Sequence, residues 1–346
     1  MISNLLLVMG LILWGYVLTG ILKVKEGFGP ILSIAISMAV LEIGGAFGVL
    51  WPTAYCYCIA VCLFSGAYIV CTRNKADRKA YFLNPSIIGF LFAALFYMIL
   101  SSQETLFYTR VDSFLHWGMF SKAVFYHHNF DVWNQDLWVN HQVYPHGMAA
   151  WYSLFALGKS AYAERDVMLS INVLLFAASC PLVDIAVRKI RKLLPDKKMI
   201  SLIVYLVSGM SVASLLWIWR FGEWAYIYGY MDIPLGAAFM ASLCLVVTDS
   251  GDDYRKAFGV SLLSALLVMI KPSGIIFVGV VCLVYLANEY SRNGFSMTGN
   301  AVKKLFAGGG TEYLCPAAGI RYLECHDGIS WHIGRRPIQF ERLFTQ

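Results

Sequence analysis

The stretch Ile2–Leu22, ISNLLLVMGLILWGYVLTGIL, decides the fold, because it runs its whole length without one charged residue. A helix rises about 1.5 Å per residue, so this run reaches across a hydrocarbon core about 30 Å thick. It is too long for the apolar region of a signal peptide and lacks a basic start, so it reads as a true span. Comparable runs follow at 30–50, 53–71, 85–104, 164–187, 199–219, 231–248, 257–270 and 273–288. Hydrophobic residues make up 59% of the chain and charged residues 14%, where soluble domains carry about 25% charge. A lone segment in lipid must satisfy its own backbone groups, which only a helix does. The expectation is an all-α, polytopic transmembrane helix bundle of about nine spans. Pro30, Pro52, Pro85, Pro234 and Pro272 sit at or near span starts, where a missing N–H costs little.

The net charge of +6 does not point to nucleic acid, because most Lys and Arg lie in short loops between apolar runs. Basic residues collect on the cytoplasmic side. The cluster Arg188, Lys189, Arg191, Lys192, Lys197, Lys198 and the cluster Arg73, Lys75, Arg78, Lys79 share that side only if residues 146–163 do not cross. That segment is therefore expected as a juxtamembrane helix on the outer surface. The N-terminus is then outside, loops 23–29, 72–84, 188–198 and 249–256 inside, and the long loop 105–163 extracytoplasmic.

Cys56, Cys58, Cys62, Cys71, Cys180, Cys244 and Cys282 lie within apolar runs, where cysteine behaves as a small hydrophobe. No metal-ligand spacing occurs, so no cofactor is expected; a divalent metal stays open but has no support in the sequence. Asp184 pairs with Arg188 by i,i+4 spacing; Glu42, also inside an apolar run, has no partner visible in the sequence. Residues 1–290 read as the membrane domain and 291–346 as a tail, disordered or non-native as after a truncation or frameshift. Cys315, Cys325, His326 and His332 in that tail match no zinc pattern.

Water-phase chemistry belongs to the loop. Tyr108–Tyr152 holds five of the seven histidines and four of the ten tryptophans, with DSFLHWG at Asp112–Gly118 and HQVYPHG at His141–Gly147. At about 100° per residue, Asp112, His116, Ala123 and His127 share one helical stripe, while Phe114, Leu115, Phe125 and Tyr126 can sink into the interface. Asp112 and His116, four apart, suit proton transfer or phosphate binding; alternatively Asp112 is an N-cap on a surface helix. Tyr144-Pro145-His146-Gly147 is a helix-start turn. Asp232 opens a span, preceded by Arg220 and Glu223 on the same side, and is either a site residue or a helix cap. Lys271-Pro272-Ser273-Gly274 is a hairpin turn whose lysine can meet a lipid phosphate. Neither GxGxxG nor GxxxxGK[ST] occurs, which argues against a nucleotide-driven pump.

Together these residues resemble the GT-C superfamily of polytopic glycosyltransferases. The likeness rests on Asp112 soon after a span, the aromatic stretch behind it, the Tyr-Pro turn leading into an aromatic helix (Tyr144–Tyr152), and Asp-x-Pro-Leu at Asp232–Leu235. It is strongest to bacterial members whose loop begins as Asp112–Trp117 does, and it covers about residues 85–290. The resemblance implies a multi-pass enzyme of the bacterial plasma membrane. It would move a sugar with inversion from a polyprenyl-phosphate donor to a glycan, lipid or protein acceptor on the outer face. Asp112 would be the catalytic base, supported by His116. Arg220, Asp232, His141, Tyr144, His146 and Lys271 would bind substrate, with Arg220, His116 and Lys271 as phosphate partners. The chain departs from the pattern at Ser113, where many relatives carry a second acid, and at Val143, where others have an acid before the turn. A second carboxylate would come from Asp131, Asp136 or Asp232. The rival readings are a polysaccharide polymerase or ligase, a transporter or flippase, and a non-catalytic membrane protein.

Overall fold

A computed structural model describes residues 2–72, 75–103, 117–130, 145–193, 231–248 and 253–292. All regular structure among them is helical: α1 (Ile2–Leu22), a 3-10 turn (Glu26–Phe28), α2 (Gly29–Ala46), α3 (Leu50–Cys71), α4 (Lys75–Phe82), α5 (Pro85–Gln103), α6 (Met119–His127), α7 (Gly147–Ala156), α8 (Glu164–Leu193), α9 (Asp232–Thr248), α10 (Asp253–Ile270) and α11 (Gly274–Arg292). Among the described residues five segments are long and apolar enough to cross a membrane: Ile2–Leu22, Glu26–Ala46, Leu50–Cys71, Glu164–Leu193 and Gly274–Ser291. Pro85–Ile99 and Asp232–Thr248 are shorter apolar helices. The expected span at 199–219 and the tail from residue 293 lie outside the described residues.

The bundle is organised around α2 and α8, which pack against each other and against most of the remaining helices. Helix α2 buries small residues between its larger apolar ones, Ser33, Ala35 and Ser37 among them. Small residues let helices approach closely where lipid offers no hydrophobic drive to association. Ser33 and Ser37 donate their hydroxyls back to Pro30 O and Ser33 O, at 2.7 and 2.6 Å, and so bury no unmet donor. A tight crossing lies between α1 and α2: a Cβ on Gly15 would stand 2.6 Å from the Gly29 carbonyl carbon and from the Tyr81 hydroxyl. Tyr81 fills this junction, fully buried, donating to Ile12 O at 3.0 Å. Burial pushes its phenol well above the usual range, so it stays a neutral donor.

The outward faces of α3 and α11 show what surrounds the bundle. Ile59, Leu63, Phe64 and Val70 on α3, and Ile275, Ile276 and Leu283 on α11, are all more than 55% exposed. In water such faces would be costly; against lipid tails they are not.

At one end of the bundle, Arg188 contacts both Glu26 and Asp184, the latter at 3.0 Å as the i,i+4 spacing predicts. Asn84 donates to Asp184 at 2.9 Å, and Lys25 donates to Thr248 O at 2.6 Å. Helix α8, at 30 residues, is about 45 Å long and outruns a hydrocarbon core of about 30 Å. Its surplus turns carry Arg188, Lys189, Arg191 and Lys192.

Two expectations for the loop change. The segment from His146 on is a helix of 10 residues, too short to cross, yet every residue of α7 is buried and it packs on α2, α6 and α8. It enters the bundle instead of lying on the surface, because GMAAWYSLFA has no polar face to offer water. In α6, Ala123 is buried while Tyr126 is 58% exposed, so the wet and sunken faces differ from the predicted stripe. The cause is that α6 packs against α7.

Candidate functional site

The site is built where α2 ends, α7 begins, and α9, α10 and α11 turn. Helix α2 stops at Gly44-Gly45-Ala46, with Gly48 at φ +73° as its left-handed cap residue. Val49 N–H donates to Gly44 O at 2.8 Å and Gly48 N–H to Gly45 O at 3.0 Å, a Schellman closure. One turn before this cap, Glu42 faces inward with its side chain 1% exposed.

His146 meets it. The imidazole Nδ1 lies 3.7 Å from Glu42 Oε1, an ion-pair distance too long for a hydrogen bond. The His146 backbone also hydrogen-bonds the Glu42 carboxylate. The imidazole ring is stacked between Phe130 (centroids 4.7 Å apart) and Phe120 (5.1 Å). Glu42 Oε2 is buried and has no hydrogen-bond partner among the described residues.

The sequence gives a physical reason for each piece. Pro145 and Gly147 bracket His146, the first fixing backbone geometry and the second permitting close approach. A Cβ on Gly147 would stand 2.5 Å from Met269 O, so the start of α7 is pressed against the end of α10. Two residues further along, Lys271 Nζ lies 2.6 Å from Asp232 Oδ1 at the start of α9. On the other flank, a Cβ on Gly45 would collide with the Phe130 ring at 2.1 Å, which seats that ring over His146. Trp51 stacks on His128 at 4.5 Å, and His128 takes φ +61°, left-handed for a non-glycine residue.

Three of the sequence candidates, His146, Asp232 and Lys271, thus gather around one end of the bundle. Asp112, His116, His141, Tyr144 and Arg220 lie outside the described residues, as do Asp131 and Asp136. The chain just beyond His116 is fixed within the same cluster: Tyr162 donates its hydroxyl to Gly118 O at 3.1 Å, and Phe120 contacts His146. Asp232, read from sequence as a site residue or cap, gives its carboxylate to Lys271. The aromatic α7 supplies no acid or base, since burial pushes the Tyr152 phenol upward and keeps it neutral.

Sequence reasoning flagged Glu42 but not its partner, and it missed Trp51, Phe120 and Phe130. The available signal for Glu42 was an acid inside an apolar helix, a functional candidate by default. No protein family model, curated protein or solved structure matches the chain.

Proposed function

We propose that the chain is an inverting glycosyltransferase of a bacterial plasma membrane. It takes sugar from a polyprenyl-phosphate donor and passes it to a cell-envelope glycan, lipid or protein on the outer face. One observation carries the reading: Phe120, four residues past His116, stacks on His146. The chain just beyond DSFLHWG is therefore tied to the end of HQVYPHG, the two loop motifs on which the GT-C resemblance draws. Lys271 and Asp232 stand close by through the Gly147–Met269 contact.

In this proposal Asp112 accepts the acceptor hydroxyl proton as that oxygen attacks the anomeric carbon and the bond to the lipid phosphate breaks. A carboxylate with an ordinary pKa near 4 is a weak base, but it can take the proton late, when bond formation has made the oxygen acidic. Arg220, His116 and Lys271 meet the departing phosphate, where positive charge stabilises the leaving group. The N-terminus and the 105–163 loop are placed outside, with the basic loops inside.

The test is Asp112→Asn in isolated membranes supplied with a radiolabelled polyprenyl-phosphate sugar. Transfer should fall by about 10²–10⁴-fold while the protein level in the membrane is unchanged. Wild-type transfer by the variant removes Asp112 as the base.

A transporter needs ionisable groups or broken helices near the membrane midplane. Among the described residues, buried Glu42, Asp166, Lys256 and Glu289 sit within about a turn of the ends of α2, α8, α10 and α11, and Asp184, inside α8, is paired with Arg188. Their placement favours the transferase reading over transport.

A further inference from the structure

Two cavities meet at Ser3, at the start of α1. The first, about 510 Å³, is polar; its lining includes Asn4, Ser102, Lys159, Arg165 and Asp166. The second, about 270 Å³, is mostly apolar, lined among others by Leu7, Gly10, Trp14, Val61 and Leu157. Ser3 lines both, so the polar cavity and the apolar crevice between α1, α3 and α7 adjoin at the start of α1.

The charge in the polar cavity is arranged. Asp166 is 5% exposed and is neutralised by Lys159 Nζ at 2.7 Å, with Asn4 Nδ2 donating to it at 3.3 Å. Lys159 also donates to Asn4 Oδ1 at 3.1 Å. An ammonium has three donors, so one remains for a ligand. Arg165 is exposed, lines the cavity, and makes no ion pair among the described residues. The lining therefore offers an uncompensated guanidinium and one spare ammonium proton, a set that suits a phosphate.

The crevice has the depth of one leaflet. Ser3 to Trp14 is eleven residues along α1, or about 16 Å at 1.5 Å per residue, against about 30 Å for the whole hydrocarbon core. Its lining also holds polar groups: the Ser37 and Tyr57 hydroxyls, hydrogen-bonded at 2.8 Å, and the Trp14 indole. A chain much longer than one leaflet would have to pass these polar groups.

We infer that this is a binding site for an anionic phospholipid of the surrounding leaflet, its phosphate on Arg165 and Lys159 and one acyl chain in the crevice along α1. The site is separate from the proposed transfer site. Helix α7 spans 10 residues between His146 and the Lys159 turn, which is about 15 Å, so one phosphate cannot serve both. Nothing in the inference depends on glycosyl transfer.

The experiment uses the full chain in nanodiscs of neutral phosphatidylcholine, probed with a phosphatidic acid carrying a photoreactive diazirine in one acyl chain. Crosslinks should map to residues 3–14 and 57–62, and unlabelled phosphatidic acid should compete them away. Gly10→Phe should block the crevice, because a Cβ at Gly10 meets nothing within 4 Å and the ring extends into open space. Arg165→Glu, an exposed change that leaves the Lys159–Asp166 pair intact, should weaken labelling about 10- to 100-fold, the range of a lost charge-assisted contact. Arg165→Lys should restore most of it. Equal labelling by a neutral diacylglycerol probe, or labelling unchanged in both Gly10→Phe and Arg165→Glu, overturns the site. Competition by inorganic phosphate alone would assign a free anion and overturn the lipid. Polyprenyl phosphate competing where phosphatidic acid does not would do the same for the phospholipid. Because the readout is binding without any sugar, these outcomes leave the transferase proposal to its own assay.

Discussion

Removing the imidazole of His146 should destabilise the protein by an amount that depends on whether Glu42 is present. In His146→Ala the Glu42 carboxylate keeps its bond from the residue 146 backbone but loses the ring 3.7 Å away. The contact is an ion pair only when the imidazole is protonated and Glu42 ionised, so the loss of about 3–5 kcal/mol on breaking a buried ion pair is an upper bound here. The retained backbone bond and the length of the contact reduce this, and we expect a coupling of about 1–2 kcal/mol between the two side chains. The ring also loses its stacking with Phe120 and Phe130, worth about 0.5–1.5 kcal/mol per aromatic pair. That loss is the same with glutamate or glutamine at position 42, so it cancels in a double-mutant cycle. The cycle is wild type, Glu42→Gln, His146→Ala and the double variant, each unfolded reversibly by SDS in mixed micelles and followed by tryptophan fluorescence. Additive effects, within about 0.5 kcal/mol, would refute the pair and leave His146 as an aromatic spacer.

Two further outcomes follow from close contacts. Gly147→Val must place a Cβ 2.5 Å from Met269 O; overpacking of this kind costs about 1–3 kcal/mol, and transfer activity should fall as His146 shifts, read by unfolding and by the sugar assay side by side. Gly15→Leu should abolish stable folding, since its Cβ would meet the Gly29 backbone and the Tyr81 hydroxyl at 2.6 Å, whereas Gly10→Leu on the same helix should unfold at the wild-type SDS fraction.

What the sequence made legible is what composition and short spacing can carry. Ile2–Leu22 and Leu50–Cys71 are helices over the ranges their apolar runs mark, give or take a turn. Asp184 and Arg188 pair because i,i+4 neighbours on a helix cannot avoid one another. Glu42 was visible as an anomaly, but its partner His146 is far off in the chain, and no local pattern joins them. The same holds for Lys271 with Asp232, each noted for itself and only brought together by the packing of α9 on α10 and α11. Helix α7 shows a different failure. The charge rule placed it on the outer surface, but an apolar segment of 10 residues can also be buried within a bundle, and its uniform apolar face decides for that.

The Lys271–Asp232 pair bears on how a donor phosphate would be met. A lysine already held at 2.6 Å by a carboxylate looks unavailable. Yet the Asp232 side chain is 64% exposed and that of Lys271 24%, and exposed pairs contribute only about 0–1 kcal/mol. A charge-assisted bond to a phosphate oxygen contributes about 1.5–3 kcal/mol, so under the proposed function the phosphate would win the competition and the pair would act as a resting partner that the donor displaces. Asp232→Asn should then tighten donor use, lowering the donor Michaelis constant several-fold with turnover little changed, because Lys271 no longer has to leave a carboxylate. Lys271→Ala should raise that constant in both backgrounds. The opposite result for Asp232→Asn, a raised donor constant with the fold intact, would mean that the aspartate itself holds the substrate and that Lys271 serves only to position it.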